Sequence, residues 1–110
     1  SNTRIVDFKM PSSLTTINQY VFNENFSQTH LTIPSTVTSI GAYAFAACYG
    51  MKEYHFQRTS PPSIQSTTFN NIPSDCIIYV PYSADHSYLN AYKGASNWSS
   101  QSSKIQEEPQ

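Results

Sequence analysis

Residues 31–48 read LTIPSTVTSIGAYAFAAC, and their order of apolar and small side chains returns on both sides at nearly constant spacing. Phe8, Met10, Pro11, Leu14, Ile17, Tyr20 and Phe22 each stand 23 residues before Leu31, Ile33, Pro34, Val37, Ile40, Tyr43 and Phe45. Tyr54, Phe56, Ile64 and Phe69 continue the series with one residue added between Phe56 and Ile64, and Ile78, Val80 and Pro81 open a fourth turn. A period of about 20–29 residues belongs to stacked repeat proteins. A unit this short cannot bury its own apolar residues, so neighbouring units stack and share one core. The predicted architecture is a mainly β repeat solenoid, a right-handed coil built on short parallel strands.

Ahead of each proline position the residues alternate with period two: Asp7-Phe8-Lys9-Met10, His30-Leu31-Thr32-Ile33, Glu53-Tyr54-His55-Phe56 and Ile77-Ile78-Tyr79-Val80. Such alternation reads as a half-buried strand. Strands laid side by side would place Phe8, Leu31, Tyr54 and Ile78 in one inward ladder and Met10, Ile33, Phe56 and Val80 in another. Proline lacks the N–H that a ladder requires, so it ends the pairing and turns the chain away. In the second half of the unit, Ile40, Ala44 and Phe45 are expected inside, and Gly41 is expected to supply a turn where a Cβ would be unwelcome.

The segments Ile33-Pro34-Ser35-Thr36-Val37-Thr38-Ser39-Ile40-Gly41 and Ala44-Phe45-Ala46-Ala47-Cys48 resemble the BspA-type leucine-rich repeat, with Met51 where that family usually carries leucine. Ser60-Pro61-Pro62-Ser63-Ile64, then Phe69, Tyr79-Val80-Pro81, Tyr92 and Trp98 resemble the family's closing unit, so almost the whole chain is covered. Gln28 in place of Met51, Asn18 in place of Gly41 and Gln57 in place of Pro34 make the first and third units irregular. The resemblance implies a secreted or cell-surface bacterial repeat domain that mediates adhesion. A protein or glycan is the implied ligand, host extracellular-matrix proteins among them, and no cofactor is implied.

Composition bounds the alternatives. The chain has 110 residues, the length of one domain. Charged residues make up 12%, about half the usual share, and the net charge is −1. The basic footprint that phosphate backbones select is missing, so nucleic acid is not an expected partner. Nor does the sequence contain the run of about 18 apolar residues that a membrane span needs. No signal peptide is visible, so export would rely on a signal upstream or already removed. Two cysteines are too few for a disulfide framework. Cys48 and Cys76 read as two small buried residues, with a bridge between them as the alternative.

The expected organisation is a single domain over 1–110, with repeats at about 4–30, 31–53 and 54–77, a closing strand at 76–81 and a helical cap within 82–105. The first strand is expected over 4–10, with Ile5 and Val6 extending its apolar contact. No polar cap covers that end, which calls for upstream repeats, a preceding domain or self-association through the open coil. Ser83 is the expected N-cap of a helix over 84–93, with Asp85 in its first turn and Gly94 ending it. Tyr88 and Tyr92 share a face of that helix, which with Trp98 would cover the end of the stack. Residues 99–103 read as a polar spacer, Ile105 as a last contact and 106–110 as frayed.

Motifs for catalysis are missing: no GxGxxG, phosphate loop, CxxC or HExxH occurs, and the chain reads as a non-enzyme. A metal site from His30, Glu53 and His55 is geometrically conceivable, but chance surface neighbours explain these residues better, so no metal is expected. The outward rows, Asp7-His30-Glu53-Ile77 and Lys9-Thr32-His55-Tyr79, remain. Lys9, His30, Thr32, Glu53, His55 and Tyr79 are therefore the candidate ligand-binding residues, because mixed polar groups beside an aromatic suit a protein or glycan surface. The competing reading is a structural spacer or terminal cap of a larger surface protein, whose strands show these residues to water without binding anything. Asn25-Phe26-Ser27 and Asn97-Trp98-Ser99 match the N-glycosylation triplet, a pattern with little meaning in a bacterium.

Overall fold

The computed structural model describes residues 7–24 and 28–110, with the backbone alone for residues 7–9. Residues 4–6 of the expected first strand and the triplet at 25–27 therefore lie outside the described residues, as do the side chains of Asp7, Phe8 and Lys9. Alternation produces the strands where it was read: β1 (Asp7–Lys9), β3 (His30–Ile33), β5 (Glu53–Phe56) and β6 (Ile77–Val80). In the last three, every second side chain is buried. They pair parallel in chain order, with Phe8 opposite Leu31, Leu31 opposite Tyr54 and Tyr54 opposite Ile78. The first inward ladder is thus in register along its backbone, and Leu31, Tyr54 and Ile78 are fully buried.

A second, two-residue ladder pairs β2 (Thr16–Ile17) with β4 (Ser39–Ile40), also parallel, and Ser39 bridges on to Ser63. Beyond it the backbone of each unit donates to the next. Phe22 N donates to Ala44 O at 2.8 Å, and one unit later Phe45 N donates to Thr68 O at 2.9 Å, one residue further along. That step absorbs the residue added between Phe56 and Ile64. Buried backbone groups need partners, and here the neighbouring unit supplies them, so no unit is complete alone.

Gly41 opens the expected turn, its O accepting from Ala44 N at 3.3 Å, and a Cβ is unwelcome there for a steric reason. None of the described glycines has positive φ. Instead Gly41 N donates to Ile17 O at 2.7 Å, and a Cβ at this position would stand 2.5 Å from Gln19 N and 2.8 Å from Gln19 Cα. Those are backbone atoms that no rotamer can move. Gly41→Ala is expected to push two units apart and lower stability by about 1–3 kcal/mol or more, read as a lower urea midpoint. An unchanged midpoint would show that the units can separate freely here.

The C-terminal region departs most from expectation. The helix α1 spans Ser87–Gly94 and does not begin at Ala84. Residues 83–86 close a turn through His86 N to Ser83 O at 3.0 Å, and His86 takes a left-handed φ of 62°. Asp85 accepts from Ser87 N at 3.0 Å ahead of the helix, and Ser83 Oγ receives only a long 3.4 Å bond from Tyr88 N. The backbone bond from Ser87 holds the Asp85 carboxyl below its usual range. The acid caps a turn, and the helix starts after it. Gly94 ends α1 as expected.

Residues 99–103 are not a spacer, and of the tail expected to fray, 106–108 are held by backbone pairing while 109 and 110 are exposed. Ser99–Lys104 is a 3-10 helix, and Ile105–Glu107 forms a fifth strand, β7, parallel to β6 with Ile78 opposite Ile105. Ile105 is 2% exposed. The core runs through the stack as a column of rings: Phe22, Phe45, Phe69 and Trp98 follow one another at centroid spacings of 5.8, 5.3 and 5.5 Å. Gln28 is buried where the next unit carries buried Met51. Cys48 and Cys76 are both buried thiols, and no disulfide joins them; Cys48 donates to Phe22 O at 3.0 Å. Among the described residues no helix is long and apolar enough to cross a membrane.

Candidate functional site

Parallel pairing converts sequence spacing into two outward rows. Asp7, His30, Glu53 and Ile77 lie opposite one another across β1, β3, β5 and β6, and Lys9, Thr32, His55, Tyr79 and Gln106 form the second row, extended by β7. Lys9 has its backbone place in that row and nothing more. Thr32, opposite His55, is half-buried and lines a small hollow with Met10, Ser12, Pro34 and Gln57.

The structure brings together His30, Glu53, His55 and Tyr79. The His55 ring lies nearly parallel to Tyr79, with centroids 4.9 Å apart and planes 17° apart, and to His30 at 6.4 Å and 10°. Three strands thus present three roughly parallel, stacked rings. Glu53 serves both histidines through one oxygen: Oε1 is 2.7 Å from His55 Nε2 and 3.5 Å from His30 Nε2. On its other side His30 Nδ1 meets Thr29 Oγ1 at 3.0 Å.

Sequence reasoning missed Glu108. It follows β7, and its Oε2 reaches across β6 to His55 Nδ1 at 2.5 Å. Both nitrogens of His55 therefore face carboxylates, and because carboxylates only accept, the arrangement is satisfied in full by the doubly protonated ring. Partial burial pulls the His55 pKa down, but the hydrogen bonds and charges of Glu108 and Glu53 outweigh it and leave it raised. Burial first, and then the same two carboxylates, raise Tyr79. Ile105 alone in a polar tail was the only signal for this strand. It went unread because Ile105 falls 27 residues after Ile78, off the 23-residue register, with α1 and the 3-10 helix between.

The chemistry on offer is recognition: ring faces for stacking, two partly exposed carboxylates and two imidazoles on a rigid sheet. Among the described residues no group of three or more His, Cys, Asp or Glu is arranged to hold a metal. Burial and then the Asp75 charge push the Cys76 thiol up to about 12, far from the thiolate that a nucleophile needs. None of the curated proteins gives a significant match. The BspA-type leucine-rich repeat region matches in six copies over residues 1–106. The repeat spacing, the parallel ladders and this match together place the chain in the BspA-type leucine-rich repeat family, whose members are generally bacterial surface or secreted proteins and typically not enzymes.

Proposed function

We propose that this chain is a right-handed repeat solenoid of the bacterial surface that binds a protein or glycan through the outward face of its strands, and so serves adhesion. The observation that carries the reading is the stacked array of His30, His55 and Tyr79 with Glu53 at its edge, spread over three adjacent strands. Aromatic faces on fixed backbone give contact area at small entropic cost, and strands paired on both sides hold them in place without a ligand. Host extracellular-matrix proteins and surface glycans are the classes to present to it. In binding to immobilised matrix proteins and to a glycan array, Tyr79→Ala combined with His55→Ala is expected to weaken affinity by about 2 kcal/mol or more, as for aromatic anchors at other interfaces. Unchanged affinity in that variant would move the binding surface elsewhere. Failure to bind any matrix protein or glycan would favour the second reading, a spacer or terminal cap that projects another domain, which the unit-to-unit backbone bonding supports by its rigidity.

A further inference from the structure

Two successive glutamates at the C-terminal end are held by histidines from different parts of the fold. Glu108 meets His55 of β5 at 2.5 Å. Glu107, 15% exposed, meets His86 beside the start of α1, with its oxygens 2.8 and 3.0 Å from Nδ1. Between these contacts the tail is attached through β7 pairing with β6 and through Glu108 N donating to Val80 O at 2.9 Å. We infer that the C-terminal strand is a pH-sensitive clasp, closed while His55 carries both ring protons and loosened when it loses one. The inference does not depend on the face binding any ligand.

Proton counting gives the reason. Glu53 Oε1 and Glu108 Oε2 stand 2.7 and 2.5 Å from the two ring nitrogens. A neutral imidazole donates through one nitrogen and presents a lone pair at the other, so one of these contacts must then open. Glu53 belongs to a strand paired on both sides, with β3 and β6. Glu108 lies just past β7, which among the described residues pairs only with β6. The tail is the side that can yield.

The groups facing His55 are Glu53 on its own strand, the His30 ring from β3, the Tyr79 ring from β6 and Glu108 beyond β7. Across the tail, His86 faces Glu107. The folded pKa of His55 lies above its ordinary 6.5. A group raised in this way contributes stability in full below the unfolded pKa, and that contribution is lost as pH rises through the folded value. The clasp is therefore tight below about pH 6.5 and loosens as pH rises through the raised folded value.

Hydrogen exchange on the whole chain at about pH 5 and about pH 8 tests this. After correction for intrinsic rates, the amides of residues 106–108 are expected to lose several-fold protection at the higher pH, while those of Tyr54 and Ile78 in the core hold theirs. His55→Gln and, separately, Glu108→Gln should each flatten that dependence. Glu108→Gln leaves β5 untouched, so the test survives if the His55 variant folds poorly. Tail protection that does not change with pH in the wild type, or a dependence that persists in both variants, would overturn the clasp. So would a dependence abolished by His86→Gln alone.

Discussion

Phe45→Ala is expected to destabilise the whole chain by about 3–5 kcal/mol, the usual cost of removing a fully buried Phe ring. Phe45 is 0% exposed and packs against rings from three other places in the chain: Phe22 at 5.8 Å, Tyr54 at 4.9 Å and Phe69 at 5.3 Å. These partners come from the preceding unit, the next strand and the next unit. The cavity left by the variant would therefore lie between units, where the backbone bonds from Phe22 to Ala44 and from Phe45 to Thr68 fix the spacing and resist collapse. Native stabilities run to about 5–15 kcal/mol, so a loss of this size brings the fold close to its limit. The check is a urea titration followed by far-UV circular dichroism and by the fluorescence of the single tryptophan, Trp98. Because the core is shared, both signals should fall together at a lower midpoint in the variant. A variant that melts with the wild type would refute the continuous core; one whose dichroism falls while Trp98 stays native would show that units fail separately.

Much of this fold could be read because the repeat states each instruction more than once. Period-two alternation occurs four times, and where the structure describes side chains it yields buried Leu31, Ile33, Tyr54, Phe56, Ile78 and Val80. Pro34 ends β3 in the way its missing N–H requires. What escaped was what occurs once. The helix begins at Ser87 because Asp85 bonds its own neighbourhood as a turn, and a cap residue such as Ser83 does not by itself decide which of two nearby starts is used. β7 is a strand because β6 offers an open edge and the core offers a seat for Ile105. Both are tertiary facts, invisible in a polar tail with one isoleucine. Gly41 was rightly singled out, but the reason, contact with the Gln19 backbone, depends on how near the previous unit comes.

The candidate site divides along the same line. Residues on repeated strands could be placed in rows from spacing alone, and the registers of His30 with Glu53 and of His55 with Tyr79 follow those rows. The expectation that His30 and His55 sit in different rows is correct, yet their rings still lie parallel at 6.4 Å, because diagonal neighbours on one face of a sheet remain within reach of ring side chains. Glu108 could not be placed, since its position depends on the unrepeated tail. The charge of the site is consequently set by a residue outside the repeat: with Glu53 alone His55 would have one carboxylate partner, and with Glu108 it has two.

Beyond Phe69 the core continues through a different element. Trp98 occupies the position after Phe69 in the ring column, although it arrives from the loop after α1 and not from a repeat. It is 1% exposed, meets Tyr92 at 4.9 Å and Phe56 at 5.1 Å edge to face, and its Nε1 donates to Pro62 O at 2.8 Å. Tyr92 is fixed in turn by its hydroxyl, which donates to Arg58 O at 2.7 Å. Trp98→Ala is expected to cost about 3–5 kcal/mol, because it removes the ring from its contacts with Phe56, Phe69 and Tyr92 and leaves Pro62 O without its donor. Trp98→Phe keeps a ring in the column but leaves Pro62 O without its donor, at about 1–3 kcal/mol. Thermal melts by circular dichroism should therefore rank wild type above Trp98→Phe and Trp98→Ala lowest. If Trp98→Ala melted like the wild type, the helix and tail would be an appendage on a stack already closed by Phe69. The expected order would instead make α1 and Trp98 part of the core, since the Phe69 ring is covered by a residue that repeats the packing of the column without repeating its sequence.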